Sequence, residues 1–260
     1  MSTVQTHILH RNNRRYHLGD YAADSKNGLL NSLVGYWKLD EAAAATRLDS
    51  TANAHDLTQP VGTCGQSTGI ISFAANTNGG GSKLRNSASS SQSTFWANIQ
   101  SGDSFSMSSW FKFNVVPTTG FHGVLSFWNQ STISYFLWFA NNNSLIMQFN
   151  NAANNAQPTL SVLAPPSTAT WYHIVMGYDD TNHQMFYYLN NGARTNASIT
   201  GIFKATTGTV AFELMDYASS GGPPDMIMDE TGWWRRVLSS TDVALLYNSG
   251  AGTPYGSFTT

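Results

Sequence analysis

The sequence predicts an all-β protein, a sandwich or barrel closed by one helix, and three observations carry that expectation. Short apolar segments recur at regular spacing, and Gly-, Asn- and Ser-rich turns separate them. No helical segments alternate with these strands, which argues against a parallel βαβ sheet. The 260 residues carry 13% aromatics but only 11% charged side chains, against roughly 25% in an average globular protein. Large apolar area is therefore available to bury, and the polar character rests on Asn, Ser, Thr and Gly, which suit strands and turns.

Taken in order, residues 1–30 differ from the rest. HILHRNNRR is basic and His-rich, and GDYAADSKNG after it has turn residues without periodicity. His7 and His10 lack further metal ligands. The β pattern starts at LVGYWKLD. In Phe105–Phe113, FSMSSWFKF, period two puts Phe105, Met107, Phe111 and Phe113 on one face and Trp110 on the other. GVLSFW, ISYFLWF and SLIMQF follow, then WYHIVMGYDD and HQMFYYLNNG, whose Asn190-Asn191-Gly192 is a hairpin signature because Asn and Gly tolerate positive φ. TVAFELMDY and MIMDETGWW complete the strands. Gly62–Gly81 and Asn150–Pro166 show no evident order. The helix comes last: Ser239 or Ser240 caps it, Asp242 meets the positive end of its dipole, Val243, Leu246 and Tyr247 share a face, and Gly250 stops it. It is expected to cover the end of the sandwich.

Bulk properties narrow the function. A net charge of −2 argues against phosphate-driven nucleic-acid binding. Cys64 is the single cysteine, which excludes an intrachain disulfide and a cysteine zinc cluster. The first residues lack the apolar region of a secretory signal, and no run approaches the ~20 apolar residues of a membrane span. The expectation is a chain made in the cytoplasm that reaches the outside by lysis or on a particle.

Three motifs in order resemble the laminin-G-like, concanavalin-A-like jelly-roll domains. LVGYWKLDEAAAATRLDSTANAHDLT resembles their opening strand and DSSGNG-type turn, whose glycines are Ala52 and Ala54 here. WYHIVMGYDDTNHQMFYYLNNG resembles the central hairpin, and MDETGWWRRVLSSTDVALLY the closing strand and helix. The resemblance covers Leu33 to Gly250. It implies an antiparallel two-sheet jelly-roll sandwich with a short C-terminal helix and an extended N-terminal arm, as one domain at 31–260 behind the arm at 1–30. It also implies a structural calcium ion, with Asp49, Asn53 and Asp229 as the matching oxygen ligands. Against calcium stands the plainer expectation that Asp49 and Asn53 stabilise their own turn. No other cofactor is implied.

Catalytic chemistry finds little support. A glycosidase needs two facing carboxyl groups, whereas Asp229 and Glu230 are neighbours that a regular strand points to opposite faces. Asp179-Asp180 has the same defect. No G-x-S-x-G elbow, H-E-x-x-H or phosphate-binding glycine loop is present. Trp37, Trp110, Trp128, Trp138 and Trp171 are expected in strands and mostly in the core. Of Trp233 and Trp234, one is expected in the core and the other on an arginine or under the helix. Asn141, Asn142, Asn143 and Tyr217 are candidates for a glycan-binding rim. His10, Arg11, Arg14 and Arg15 are candidates for an anchoring arm. The expectation is a non-enzymatic virion surface or capsid decoration protein, homo-oligomeric, docked through its arm on a capsid or other particle protein. Its sandwich faces outward to a glycan. A free carbohydrate-binding lectin is the first alternative and a polysaccharide hydrolase or lyase the second.

Overall fold

The computed structural model describes residues 28–86, 103–129, 134–141, 144–149, 159–164, 166–200, 211–216 and 222–259. Its first strands are β1 (Leu33–Trp37), β2 (Thr58–Val61), β3 (Gly65–Thr68), β4 (Phe73–Asn76) and β5 (Lys83–Asn86). Next come β6 (Phe105–Phe113), β7 (Phe121–Asn129), β8 (Ser134–Asn141), β9 (Ser144–Phe149) and β10 (Leu160–Leu163). The last are β11 (Tyr172–Asp179), β12 (Gln184–Leu189), β13 (Thr195–Ser198), β14 (Ala211–Leu214) and β15 (Met226–Trp234), followed by helix α1 (Ser240–Tyr247).

These strands form two antiparallel sheets. The eight-stranded sheet runs β13-β12-β11-β6-β15-β4-β3, with β1 also paired to β15. The seven-stranded sheet runs β10-β9-β8-β7-β14-β5-β2. Successive strands β6 and β7 enter different sheets, so long connections cross between the layers and lock them together.

Alternation along β6 explains the core. Phe105, Met107, Phe111 and Phe113 point between the sheets, where they meet Leu84, Leu125, Met147, Phe212 and Leu214. Burying side chains of this size contributes roughly 1.5–3 kcal/mol each. Trp110, in the opposite phase, stacks on Tyr247 of α1 at 5.5 Å. Asn190 and Asn191 adopt φ of 49° and 57°, and Gly192 N–H donates to Leu189 O at 2.8 Å, closing the tight turn that the motif predicted.

Helix α1 covers the outer face of the eight-stranded sheet rather than the end of the sandwich. Val243 and Leu246 pack with Tyr36, Val175, Phe186 and Trp234 in a second apolar layer. The two adjacent tryptophans therefore divide. Trp233 lies between the sheets, stacked on Phe105 at 4.8 Å, and Trp234 lies beneath the helix, its Nε1 donating to Leu29 O at 2.7 Å. Both are fully buried. Under the same layer Ser108 Oγ meets His173 Nε2 at 2.8 Å, and burial pushes His173 down to about 3, keeping its ring neutral.

Several expectations need correction. Gly62–Gly81 holds the β3–β4 hairpin, which escaped notice because GQST has no apolar alternation and takes its place by pairing with a neighbour. Cys64, within that stretch, is fully buried in the core. Within Asn150–Pro166, β10 is an ordered edge strand. Trp171 sits just before β11, half-buried, with Lys112 Nζ 4.8 Å from its ring centre.

Ser239 caps α1 through a reciprocal box with Asp242, and Arg236 Nη1 adds a 2.7 Å contact to the same carboxylate. Asn248, at φ 46°, ends the helix before Gly250 is reached. Ser239→Ala removes the acceptor for Asp242 N–H and should cost about 1 kcal/mol, read as a lower midpoint in urea denaturation with an unchanged slope.

Candidate functional site

The closing strand β15 contains a bulge. Asp229 pairs with Trp110 and Gly232 with Ser108, so one residue more lies on β15 than on β6, and Glu230 takes φ 46°. The extra residue defeats simple alternation. Asp229 shares the phase of its partner Trp110, on the helix side of the sheet. Glu230 Oε2 accepts from Tyr36 OH at 2.5 Å, and Tyr36 belongs to that same outer layer. The two acids therefore do not face apart, as strand geometry predicted.

Both carboxyl groups are buried, at 0% and 3% exposure. Asp229 Oδ2 accepts from Ile70 N–H at 2.7 Å and Ile71 N–H at 3.1 Å, in the turn joining β3 to β4. Gly69 in that turn cannot carry a side chain: a Cβ would sit 2.5 Å from Asp229 Oδ2. Burial pushes Asp229 up to about 7, against the opposing pull of these N–H donors. Burial likewise raises Glu230 to about 8, with the nearby Asp229 and Asp40 adding repulsion and the Tyr36 hydroxyl opposing. Asp229 Oδ1 and Glu230 Oε1 are buried without a hydrogen bond. With no oxygen presented to solvent, the pair is placed to hold strands together.

The turn after β1 consumes the other expected calcium ligands. Asp49 Oδ1 accepts from Tyr36 and Thr51 N–H at 3.0 and 2.9 Å, and Oδ2 from Thr51 Oγ1 and His55 N–H at 2.9 and 3.0 Å. Asn53 Nδ2 donates to Val34 O at 2.7 Å. Ala54 adopts φ 56°, so alanine holds a left-handed position that glycine ordinarily fills. These contacts favour the turn role, and Asp49 and Asp229 bind different backbone donors. Among the described residues no three His, Cys, Asp or Glu side chains gather as a metal-binding group.

A polar cluster lies on the outer face of the seven-stranded sheet. On β14, Phe212 and Leu214 enter the core, so Glu213 points outward between Arg85 of β5 and Ser126 of β7. Arg85 Nε donates to Glu213 Oε1 at 2.6 Å, and Arg85 Nη2 contacts the same oxygen. Lys83 Nζ lies 2.5 Å from Asp216 Oδ2 and 3.5 Å from Glu213 Oε1. Ser126 Oγ donates to Asp216 O at 3.1 Å. Glu213 is fully buried, yet Glu213 Oε2 and Asp216 Oδ1 accept no hydrogen bond. The sequence reading missed this cluster. Its signal was the alternation of charge with apolar residues in KLRN and FEL.

Asp216 directly precedes Tyr217, and Asn141 pairs with Phe121 at one end of β7. Asn142, Asn143 and Tyr217 lie outside the described residues, as do His10, Arg11, Arg14 and Arg15. Elsewhere among the described residues, several lysines and arginines pair with the chain's own carboxylates. Arg194 pairs with Asp179 at 2.9 Å, Arg235 with Asp103 at 3.4 Å, Arg47 with Glu41 at 3.8 Å and Lys38 with Asp40 at 4.0 Å.

A family profile described as the concanavalin A-like lectin/glucanases superfamily, Laminin_G_3, matches residues 78–244. No curated protein sequence matches the chain. Among solved structures, domain 4 of AbnA, a GH43 extracellular arabinanase from Geobacillus stearothermophilus in complex with arabinotriose, is similar at TM-score 0.59 and 16% identity. That match covers 85% of this chain and 98% of the other. The botulinum neurotoxin serotype D binding domain is similar at TM-score 0.61 and 13% identity, over 84% of this chain. The binding domain of Paraclostridial Mosquitocidal Protein 1 is similar at TM-score 0.61, 16% identity and 84% of this chain. The chain spans about half the length of these toxin domains, 51% and 52%. At such identities the likeness shows a shared fold. No helix among the described residues is long and apolar enough to cross a membrane.

The bulge carboxyls make stability depend on pH. Their folded values, about 7 and about 8, lie above the ordinary 3.8 and 4.5 of the unfolded chain. Their contribution is full below about pH 4 and is lost as pH rises through the folded values. Urea denaturation at pH 5, 7 and 9 should show falling stability, and Glu230→Gln, which keeps an acceptor for Tyr36, should flatten the fall.

Proposed function

Because the chain belongs to the concanavalin A-like lectin/glucanases superfamily, we propose that it is a non-enzymatic glycan-binding protein whose ligand docks on the outer face of the seven-stranded sheet. The observation that carries this reading is the polar cluster there. Glu213 Oε2 and Asp216 Oδ1 are buried acceptor oxygens with no internal hydrogen bond, held in place by Lys83 and Arg85, and Arg85, 31% exposed, is the member a ligand meets first. Hydroxyl recognition needs positioned acceptors of this kind, because a mobile side chain loses entropy on binding. The arabinanase domain in complex with arabinotriose supports the same reading by analogy of fold.

The burial of Asp229 and Glu230 supports a binding role over hydrolysis, since a glycosidase needs two carboxyl groups flanking a bound sugar. Binding in this reading requires no cofactor. On a glycan array, with and without EDTA, the protein should bind a restricted set of oligosaccharides. Asp216→Ala with Arg85→Ala should weaken that binding at least tenfold while leaving the circular dichroism spectrum unchanged. Absence of binding to every glycan would sink the proposal.

The basic composition of HILHRNNRR and the low overall charge support display on a particle such as a virion. Residues 1–30 then dock on a capsid or other particle protein, and a homo-oligomer of sandwiches faces outward. Deleting residues 1–30 should abolish co-sedimentation with particles and leave glycan binding intact; normal docking of the truncated protein would refute the display role.

A further inference from the structure

The outer face of the eight-stranded sheet is not wholly covered by helix α1. We propose that its uncovered end is a second carbohydrate-binding surface, where Trp171 and Lys112 meet Asn76, Asn114 and Asp225. It lies across the core from the face proposed above and works independently of it.

Tyr247 carries the helix as far as Trp110, and Lys112 follows on β6 in the same phase, beyond that contact. The register extends the row to both sides. Lys112 is opposite Ile227 of β15, and Ile227 is opposite Asn76 of β4. Trp171 flanks Lys112 on the other side, just before Tyr172, the partner of Phe111. With neighbouring strands about 4.8 Å apart, the row from Asn76 to Trp171 is about 14 Å long, more than one sugar ring. Ile227 is buried, whereas Asn114 is exposed and Asn76, Lys112, Asp225 and Trp171 are half-buried. What the row shows to solvent is therefore polar or aromatic.

Each polar member is fixed by one contact and has capacity left. Asn114 Nδ2 donates to Asp225 Oδ1 at 2.8 Å and to Asn76 Oδ1 at 3.4 Å, and Asn78 N–H donates to the same Asn76 oxygen at 2.9 Å. Among the described residues, Asn76 Nδ2, Asn114 Oδ1 and Asp225 Oδ2 have no hydrogen bond, and all three belong to residues that reach solvent. One donor thus stands with two acceptors, positioned in advance. Adjacent sugar hydroxyls meet that pattern, because each both donates and accepts. At the other end Lys112 has no carboxylate partner among the described residues, and its Nζ rests 4.8 Å from the centre of the Trp171 ring. A cation held by a partly exposed ring alone is weakly bound. The apolar C–H face of a sugar can take its place on the indole, while the ammonium donates to a sugar oxygen. Apolar ring surface beside a few placed polar groups is the usual make-up of a small-ligand site.

The test uses the full chain, a glycan array, and calorimetry with the xylo-, cello- and arabino-oligosaccharide series. Asp216→Ala with Arg85→Ala, which disables the other face, should still bind at least one glycan, with one site per chain. Affinity there should rise with chain length from the monosaccharide to the trisaccharide. In that background Trp171→Ala should weaken binding about tenfold, through loss of the ring surface. Asn114→Ala, an exposed substitution that leaves the thermal midpoint in place, should weaken it by a similar factor. If wild type binds glycans and the Asp216→Ala, Arg85→Ala protein binds none, this inference fails and the earlier reading stands. Residual binding that neither Trp171→Ala nor Asn114→Ala reduces would also overturn it. A glycan whose binding falls with Trp171→Ala and Asn114→Ala but is untouched by Asp216→Ala with Arg85→Ala supports it. If wild type binds no glycan, both readings fail.

Discussion

The structure depends on the hydrogen bonding of one strand. Met226–Trp234 is paired with Phe105–Phe113 along one side, while its other side is divided between two partners. Ile227 and Met228 pair with the Phe73–Asn76 strand, and Thr231 to Trp234 pair with the Leu33–Trp37 strand. The bulge falls at the handover. Its two acids serve one partner each: Asp229 receives the Ile70 and Ile71 N–H groups of the hairpin turn, and Glu230 receives the Tyr36 hydroxyl of the opening strand. A regular strand would offer a single partner edge and would send these acids to opposite sides. The added residue allows one edge to carry two strands that are far apart in sequence.

This arrangement trades electrostatic comfort for connectivity. Two buried carboxyl groups near each other, without a cation in hydrogen-bond contact, hold their protons well above the usual range. Perturbed acids often mark catalytic centres, but here both are enclosed by the elements they join. On the far sheet the solution is reversed. Glu213 is equally buried but is matched by Arg85 and Lys83. The same residue types thus do unlike work: carboxyl clamps without a paired cation at the bulge and an ion-paired cluster on the outer side of the seven-stranded sheet.

What the sequence revealed follows from how far each signal extends. Phe105–Phe113 was legible because nine residues repeat one alternation, and SSTDVALLY because cap, first-turn acid and apolar face agree. Asn190-Asn191-Gly192 declared itself through residues that tolerate positive φ. The bulge did not, since Glu230 has no special aptitude for φ 46° and is held there by its neighbours. Gly65–Thr68 is a strand through pairing alone, with little apolar content of its own. The Glu213 cluster joins residues 128 positions apart, and only the register of β5 against β14 brings them together. Local pattern yields elements; contacts across the sheet yield sites.

Leu30 N–H donates to Thr259 O at 3.0 Å, so the described chain enters and leaves the sandwich at one spot, beside the layer that helix α1 covers. The seven-stranded sheet lies across the core from that spot. Mechanically, the domain is a cassette with both leads on its back. It can be spliced into a surface loop of another protein through a gap of one hydrogen bond, or carried on a tether from either lead. In each case the polar sheet face is aimed away from the support.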